Sequence, residues 1–543
     1  MSSHNFDLLR EPWLRMRHAE GHVEEVGLLE FYDRAEQFTD LAGESDTQNQ
    51  AVFRLLLGVF IRALRHHELF GPEDRLAETW QKVQAADDLG ALVGEYLEAW
   101  EGRFNLFDAT APFFQAAGLH TKKEEYSDAS VLVPDTGPGL FSTSTSAATK
   151  TLPAAAAARW LVYTQAYDVS GIKSGAVGDP RVKGGKGYPI GTGWAGAIGA
   201  VQVMGPTLRD TLVLNLPVRA LLAPREEVDA DLPPWERASA DASPRSVDEV
   251  TPTGVVDVLT WQQRRVRLFP NQEGNTVVGA LICNGDKIRR ANNFTDPTTG
   301  YRYSRAQSKN GVDVFFPKTH DPALTVWRGM QSLFEQSRPD EPKDRKPAIV
   351  SQLHGDLADV VNAAYEQSGT TLRLTGMSYG TQDAVVDGEV SETYPVRVQL
   401  LTDRAQQLWP VVAGVVGRVM SFRGSMAWFH KQLLVCAGAS PEEAPQAPVQ
   451  AWLAALEAQF VAWLDYLGGI PVPEDAEREW GRRMRTTTLY FIAEAVAAAG
   501  PRAAIGRTEE SEAGKLIIHS SARYELWITK KLAETVADTA LTP

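Results

Sequence analysis

The chain has 543 residues, 43% hydrophobic and 23% charged, with a formal net charge of −15. Single hydrophobic cores stop growing at about 250–300 residues, so two or three domains are expected. No apolar run reaches the ~18 residues of a membrane-spanning helix, and Met1–Glu20 lacks a basic start followed by an apolar stretch. A soluble cytoplasmic protein without membrane contact is expected. An acidic chain argues against a free-standing nucleic-acid binder, but a net charge averages over an uneven surface.

Cys283 and Cys436 stand far apart, which excludes a disulfide framework and a cysteine-rich zinc site. The histidines fall singly apart from His66-His67, which reads as a solvated helix end. No cofactor and no metal site are expected.

Taken along the chain, Phe53, Leu56, Val59, Phe60 and Leu64 recur at helical spacing, and Leu89–Trp100 repeats the pattern. Phe104-Asn105-Leu106-Phe107 and Pro112-Phe113-Phe114-Gln115 form an aromatic run of the kind that fills a core. Thr121–Lys150 has turn chemistry and no period, so it reads as a long loop. Ala154–Tyr163 reads as a helix. Between Ser170 and Gly199 glycines are dense, and Lys173, Arg181, Lys183 and Lys186 face a single acid, Asp179. Glycines permit close backbone approach and lysines favour a polyanion, although a mobile surface loop has the same composition.

Pro224–Glu249 is acidic and reads as an exposed connection, followed by strands over Val255–Leu268 and Thr276–Cys283. From Gln262 to Asn310 nine basic residues, Arg305 and Lys309 among them, outnumber Glu273, Asp286 and Asp296, with Tyr301 and Tyr303 interleaved. That mixture suits a surface tracking a nucleic-acid strand, or a solvated hairpin face. Thr371–Leu374 reads as a strand and Met377–Asp387 as a loop. From Leu400 four helical segments follow, at about 401–437, 448–467, 474–499 and 513–538, broken by prolines and Gly468-Gly469. Each shows an apolar face, Trp452, Leu453, Leu456, Phe460, Trp463 and Leu464 making the clearest stripe. The fold class is therefore α+β: a large mixed N-terminal domain (1–390) with a strand-rich middle, then a C-terminal four-helix bundle (391–543).

Catalytic motifs are missing. There is no Gly-x-Ser-x-Gly, His-Glu-x-x-His, nucleotide P-loop or dinucleotide fingerprint, and His354-Gly355-Asp356 reads as a loop. A non-catalytic protein is expected. The rival readings are a stand-alone metal-dependent nuclease or hydrolase with a dispersed site, and a purely structural assembly subunit.

The ordered set of elements resembles the CasA family, the large subunit of type I-E CRISPR Cascade surveillance complexes. The resemblance is carried by Phe104–Phe107 with Pro112–Gln115, the loop near 130–140, Gly171-Ile172-Lys173-Ser174-Gly175, an expected strand Asp210–Asn215, Trp327-Arg328-Gly329 and the C-terminal helices. It implies an antiviral subunit that reads the protospacer-adjacent motif of duplex DNA through the minor groove. It also implies help in opening the R-loop, with a platform for a trans-acting helicase-nuclease. Its partners would be target DNA, guide RNA and the other Cascade subunits. The family's glycine loop maps to Tyr167–Gly171, with Val169, Ser170, Gly171 and Lys173 as DNA-binding residues. The lysine finger maps to Lys309, with Arg305 the alternative, and the glutamine wedge to Thr381, Gln382 and Asp383. Val133, Pro134, Asp135 and Thr136 would contact the guide end and a neighbouring subunit. Arg418, Arg423, Lys431, Arg482, Arg483 and Arg485 are the candidates for displaced-strand or nuclease contacts.

Overall fold

The computed structural model describes residues 5–67, 70, 74–134, 150–309, 311–320, 342–353, 355, 357–365, 370–395, 400, 407–510 and 516–537. The described residues divide into two compact units, the first running through Thr393 and the second beginning at Tyr394. Among the described residues, no helix is long and apolar enough to cross a membrane.

The first unit opens with a three-stranded antiparallel sheet of β1 (Leu14–His18), β2 (Val23–Val26) and β3 (Phe38–Leu41), in the order β2-β1-β3. Helix α1 (Asp46–His66) follows, its start capped by Ser45, whose side chain accepts from the Gln48 N–H. The predicted apolar positions are buried, and so is the rest of the helix almost all the way round. That marks a central helix rather than a surface one. Arg54 on it donates to Asp296 at 2.7 Å, and Trp194 Nε1–H donates to the same carboxylate at 2.7 Å. A buried guanidinium needs such a partner, because leaving either charge alone in the core costs several kcal/mol.

Helix α2 (Ala154–Tyr167) extends one turn beyond its predicted end. The expected strand at Asp210–Asn215 is instead part of a helix, Leu208–Leu214. Thr207 and Asp210 form a capping box that satisfies the first orphan N–H groups and overrides the β-rich composition. Val255–Leu268 also divides. Its first part is a short helix, Val255–Leu259, because the Asp231 carboxylate accepts from the Val256 and Asp257 N–H groups. The remainder is strand β5 (Arg264–Pro270), after β4 (Ala200–Met204), and it pairs antiparallel with β6 (Thr276–Asn284). The hairpin β7 (Tyr301–Tyr303) and β8 (Phe315–Pro317) follows. The predicted strand at Thr371 runs on to Tyr379 as β9 (Thr371–Tyr379), in a sheet ordered β10-β9-β4 with β10 (Val386–Pro395). The expected loop Met377–Asp387 is thus a short turn between two strands.

The second unit carries four long helices among its described residues: α3 (Trp409–Ala437), α4 (Ala447–Leu467), α5 (Pro473–Ile505) and α6 (Ser521–Ala537). The stripe on α4 is buried, and Trp463 meets Trp480 of α5 with ring centroids 5.5 Å apart. Gly500 (φ 74) and Pro501 kink α5, which resumes to Ile505 rather than ending at 499. Strand Leu516–His519, paired antiparallel with Arg507–Glu510, occupies the start of the stretch read as the fourth helix, which begins only at Ser521.

Candidate nucleic-acid interface

Helix α2 ends at Tyr167, and the chain leaves it through the irregular segment Asp168-Val169-Ser170, with a bend at Gly171. The Asp168 carboxylate is largely buried and holds two cations, Arg264 Nε and Lys173 Nζ, the latter at 2.6 Å. Burial alone would raise its pKa, but those two charges outweigh burial and hold it below the usual carboxylate value. Arg264, itself 1% exposed, also donates to the Val169 carbonyl at 2.9 Å and the Gly191 carbonyl at 2.8 Å. One buried arginine therefore holds the loop through the Asp168 side chain and the Val169 carbonyl and ties it to Gly191.

The turn between β9 and β10 is tight. Gly380 N–H donates to the Val385 carbonyl at 2.9 Å and Asp383 N–H to the Gly380 carbonyl at 3.0 Å. Gln382 (φ 59) and Asp383 (φ 55) both lie in the left-handed region, which costs an L-residue about 1–2 kcal/mol. Two such residues in succession push an exposed Gln382 side chain out from the turn tip.

These two segments, more than two hundred positions apart in sequence, meet. Ser170 N–H donates to the Asp383 carbonyl at 2.8 Å, and Tyr379 Oη–H donates to the Tyr167 carbonyl at 2.6 Å. Tyr379 runs so close to Gly196 that a Cβ there would collide with its hydroxyl oxygen. Arg290 borders the junction, donating to Thr192 Oγ1 at 2.9 Å. Its pKa is pulled down by burial, against the opposing charge of Asp383. A cavity of about 500 Å³ opens alongside, lined by Val131, Val133, Pro134, Val169, Ile172, Lys173 and Ala384–Val386. Three of the predicted segments thus share one cleft. Asp135 and Thr136, expected at the guide end, lie outside the described residues, as do Trp327-Arg328-Gly329, His354 and Asp356.

The structure corrects several expectations. Lys173 is not a free cation: its side chain is 13% exposed and salt-bridged to Asp168. The basic excess of 262–310 is divided: Arg264 and Arg265 are buried, Arg265 paired with Asp286 at 2.8 Å, whereas Arg289, Arg302, Arg305 and Lys309 are exposed. Tyr301 is buried and Tyr303 packs edge-on against Phe315, so these rings build the hairpin core and are not a stacking platform. Of the exposed cations, Arg305 and Lys309 lie near the β7–β8 tip, and Lys183 and Lys186 of the glycine-dense segment are exposed as well. Asn292 ties that hairpin to the body, accepting from Phe315 N–H at 2.7 Å and donating from Nδ2 to the Asp313 carbonyl at 2.9 Å. It lies two residues from Arg290.

In the second unit Arg482 and Arg483 both bind Glu479 at 2.7 Å, and Arg418 lies 3.5 Å from Glu477. These pairings partly neutralise the expected basic platform. Arg423 and Lys431 line a groove of about 390 Å³ and have no ion-pair partner among the described residues.

Fold and junction together define a two-unit α+β protein with a backbone-built cleft in the first unit and a helical second unit. The family model of CRISPR-associated protein Cse1 matches residues 7–490, and the chain belongs to that family. CasA/Cse1 of Thermus thermophilus is 30% identical over 289 residues, 51% of this chain; the match spans about half, 52%, of that relative's length. The crystal structure of Thermobifida fusca Cse1 shares 32% identity at a TM-score of 0.83 and covers 99% of both chains. Cse1 of Acidimicrobium ferrooxidans shares the fold at a TM-score of 0.77, with 24% identity and 98% of both chains covered. A chain of a CRISPR RNA-guided surveillance complex shares it at 0.66, with 18% identity, over 97% of this chain and 99% of that one.

Proposed function

We propose that this protein is a non-catalytic large subunit of a Cascade-type, RNA-guided surveillance complex in the cytoplasm, and that its first unit reads the motif flanking the target in duplex DNA. The observation that carries the reading is the Ser170–Asp383 hydrogen bond. It presents a backbone loop and an exposed Gln382 as one rigid feature, the combination needed to enter a minor groove and wedge beside a base step. Wedging costs a few kcal/mol of unstacking, which groove contacts must offset. A turn already held in its strained conformation loses little further freedom on binding. Lys309 or Arg305 supplies a cation to the groove, where patterns are degenerate and several flanking motifs are tolerated.

Val133 and Pro134, in the same cleft as Val169, dock the chain on the guide end and a neighbouring subunit. The helical unit provides the platform for the displaced strand and a helicase-nuclease, with Arg423 and Lys431, which line its groove, as the candidate cations. The acidic net charge fits a subunit whose partners contribute much of the positive field.

The test is reconstitution of the guide-loaded complex with wild-type chain, Gln382→Ala or Lys309→Ala, with target binding measured at fixed salt. Loss of motif-dependent binding with intact assembly supports the reading. Intact binding by both variants contradicts it.

A further inference from the structure

The β1–β2 hairpin carries a separate chemistry. Its tip reads His18-Ala19-Glu20-Gly21-His22. His18 N–H donates to the His22 carbonyl at 3.0 Å and Gly21 N–H to the His18 carbonyl at 2.9 Å, with Gly21 at φ 91. This closure sets the two imidazoles side by side, ring centroids 3.9 Å apart and planes 11° from parallel. One ligand atom from each of His18, Glu20 and His22 lies within 4.8 Å of the other two. A second carboxylate, Glu24, is hydrogen-bonded to His18 Nε2 at 2.7 Å and is itself gripped by Arg34 at 2.6 Å.

That outer contact is the arrangement metal-binding histidines commonly show. A carboxylate accepting from one ring nitrogen fixes the tautomer and leaves the other nitrogen's lone pair for a cation. We propose that His18, Glu20 and His22 bind one divalent transition-metal ion, zinc above all, with water completing its coordination. Imidazole nitrogens suit zinc, copper and nickel, whereas magnesium and calcium prefer sites built from oxygen alone. His22 and Glu20 are exposed, so both are free to turn toward a shared ion, while half-buried His18 is the fixed ligand. Stacking and the Glu24 bond would position His18 without a metal, but they assign nothing to Glu20.

The experiment is calorimetric titration of the metal-stripped full chain with zinc, with magnesium as control, for wild type, His22→Ala and Glu20→Gln. The expected result is one zinc per chain, no magnesium response, and affinity at least about tenfold lower in His22→Ala. The metal-free melting curve should stay unchanged, because both substituted side chains are exposed. Glu20→Gln should weaken binding less. Absence of zinc binding, or equal binding by wild type and His22→Ala, would overturn the proposal.

Discussion

The loop–turn junction of the first unit and the cationic face of α5 in the second treat charge in opposite ways. At the junction, Arg264 and Lys173 are turned inward onto Asp168, and what faces out is backbone and an uncharged Gln382. On α5, Arg482 reaches outward and is met by Glu479 one helical turn away. The first arrangement uses charge to hold shape; the second leaves charge at the surface, where solvent and salt weaken it. A positively charged stretch of sequence thus does not by itself tell which cations reach the surface and which are turned inward to hold shape.

Breaking the inward arrangement should have the largest effect. Arg264→Ala strands the buried Asp168 carboxylate and releases the Val169 carbonyl, and is expected to cost about 3–5 kcal/mol in denaturant unfolding. Acid sharpens the same point. Burial raises the pKa of Asp168, Asp286 and Asp296, but their cationic and hydrogen-bonding partners outweigh it and hold all three below the ordinary carboxylate value. A carboxyl depressed by folding contributes stability that is whole above its unfolded pKa and lost as pH falls through the folded one. The stability these groups supply should therefore be present at pH 7 and disappear below about pH 4. The gap between wild type and Arg264→Ala, measured by urea unfolding, should narrow over that window.

Smaller effects come from groups that face out. Gln382→Ala should leave unfolding unchanged while weakening motif-bearing duplex in the assembled complex by at least about tenfold, or ~1.4 kcal/mol. Lys309→Ala should weaken binding and lower the slope of log affinity against log salt by about one. Arg482→Ala should leave the melting temperature unchanged, because its ion pair with Glu479 is solvent-exposed.

Periodic features were legible in the sequence. The apolar stripe of α4 and the run Phe53–Leu64 gave helices in the right places, because burial on a helix leaves a local imprint. Features set by distant partners were not. The helix at Val255 depends on an Asp231 carboxylate more than twenty residues away, and the inward turn of Lys173 depends on Asp168 meeting Arg264. The expected loop and wedge positions rest on family resemblance, and nothing in either segment announces that Ser170 bonds Asp383. The His18–His22 pair left a usable signal, two histidines four apart around a glycine turn. It gains meaning only once the strand register sets them side by side.

The most direct test of the central claim is binding of motif-bearing and motif-lacking target duplexes to the guide-loaded complex, assembled with and without this chain at one salt concentration. Discrimination that appears only with the chain present, and falls for Gln382→Ala, is the predicted result. Equal binding of both duplexes whether or not the chain is present would contradict it.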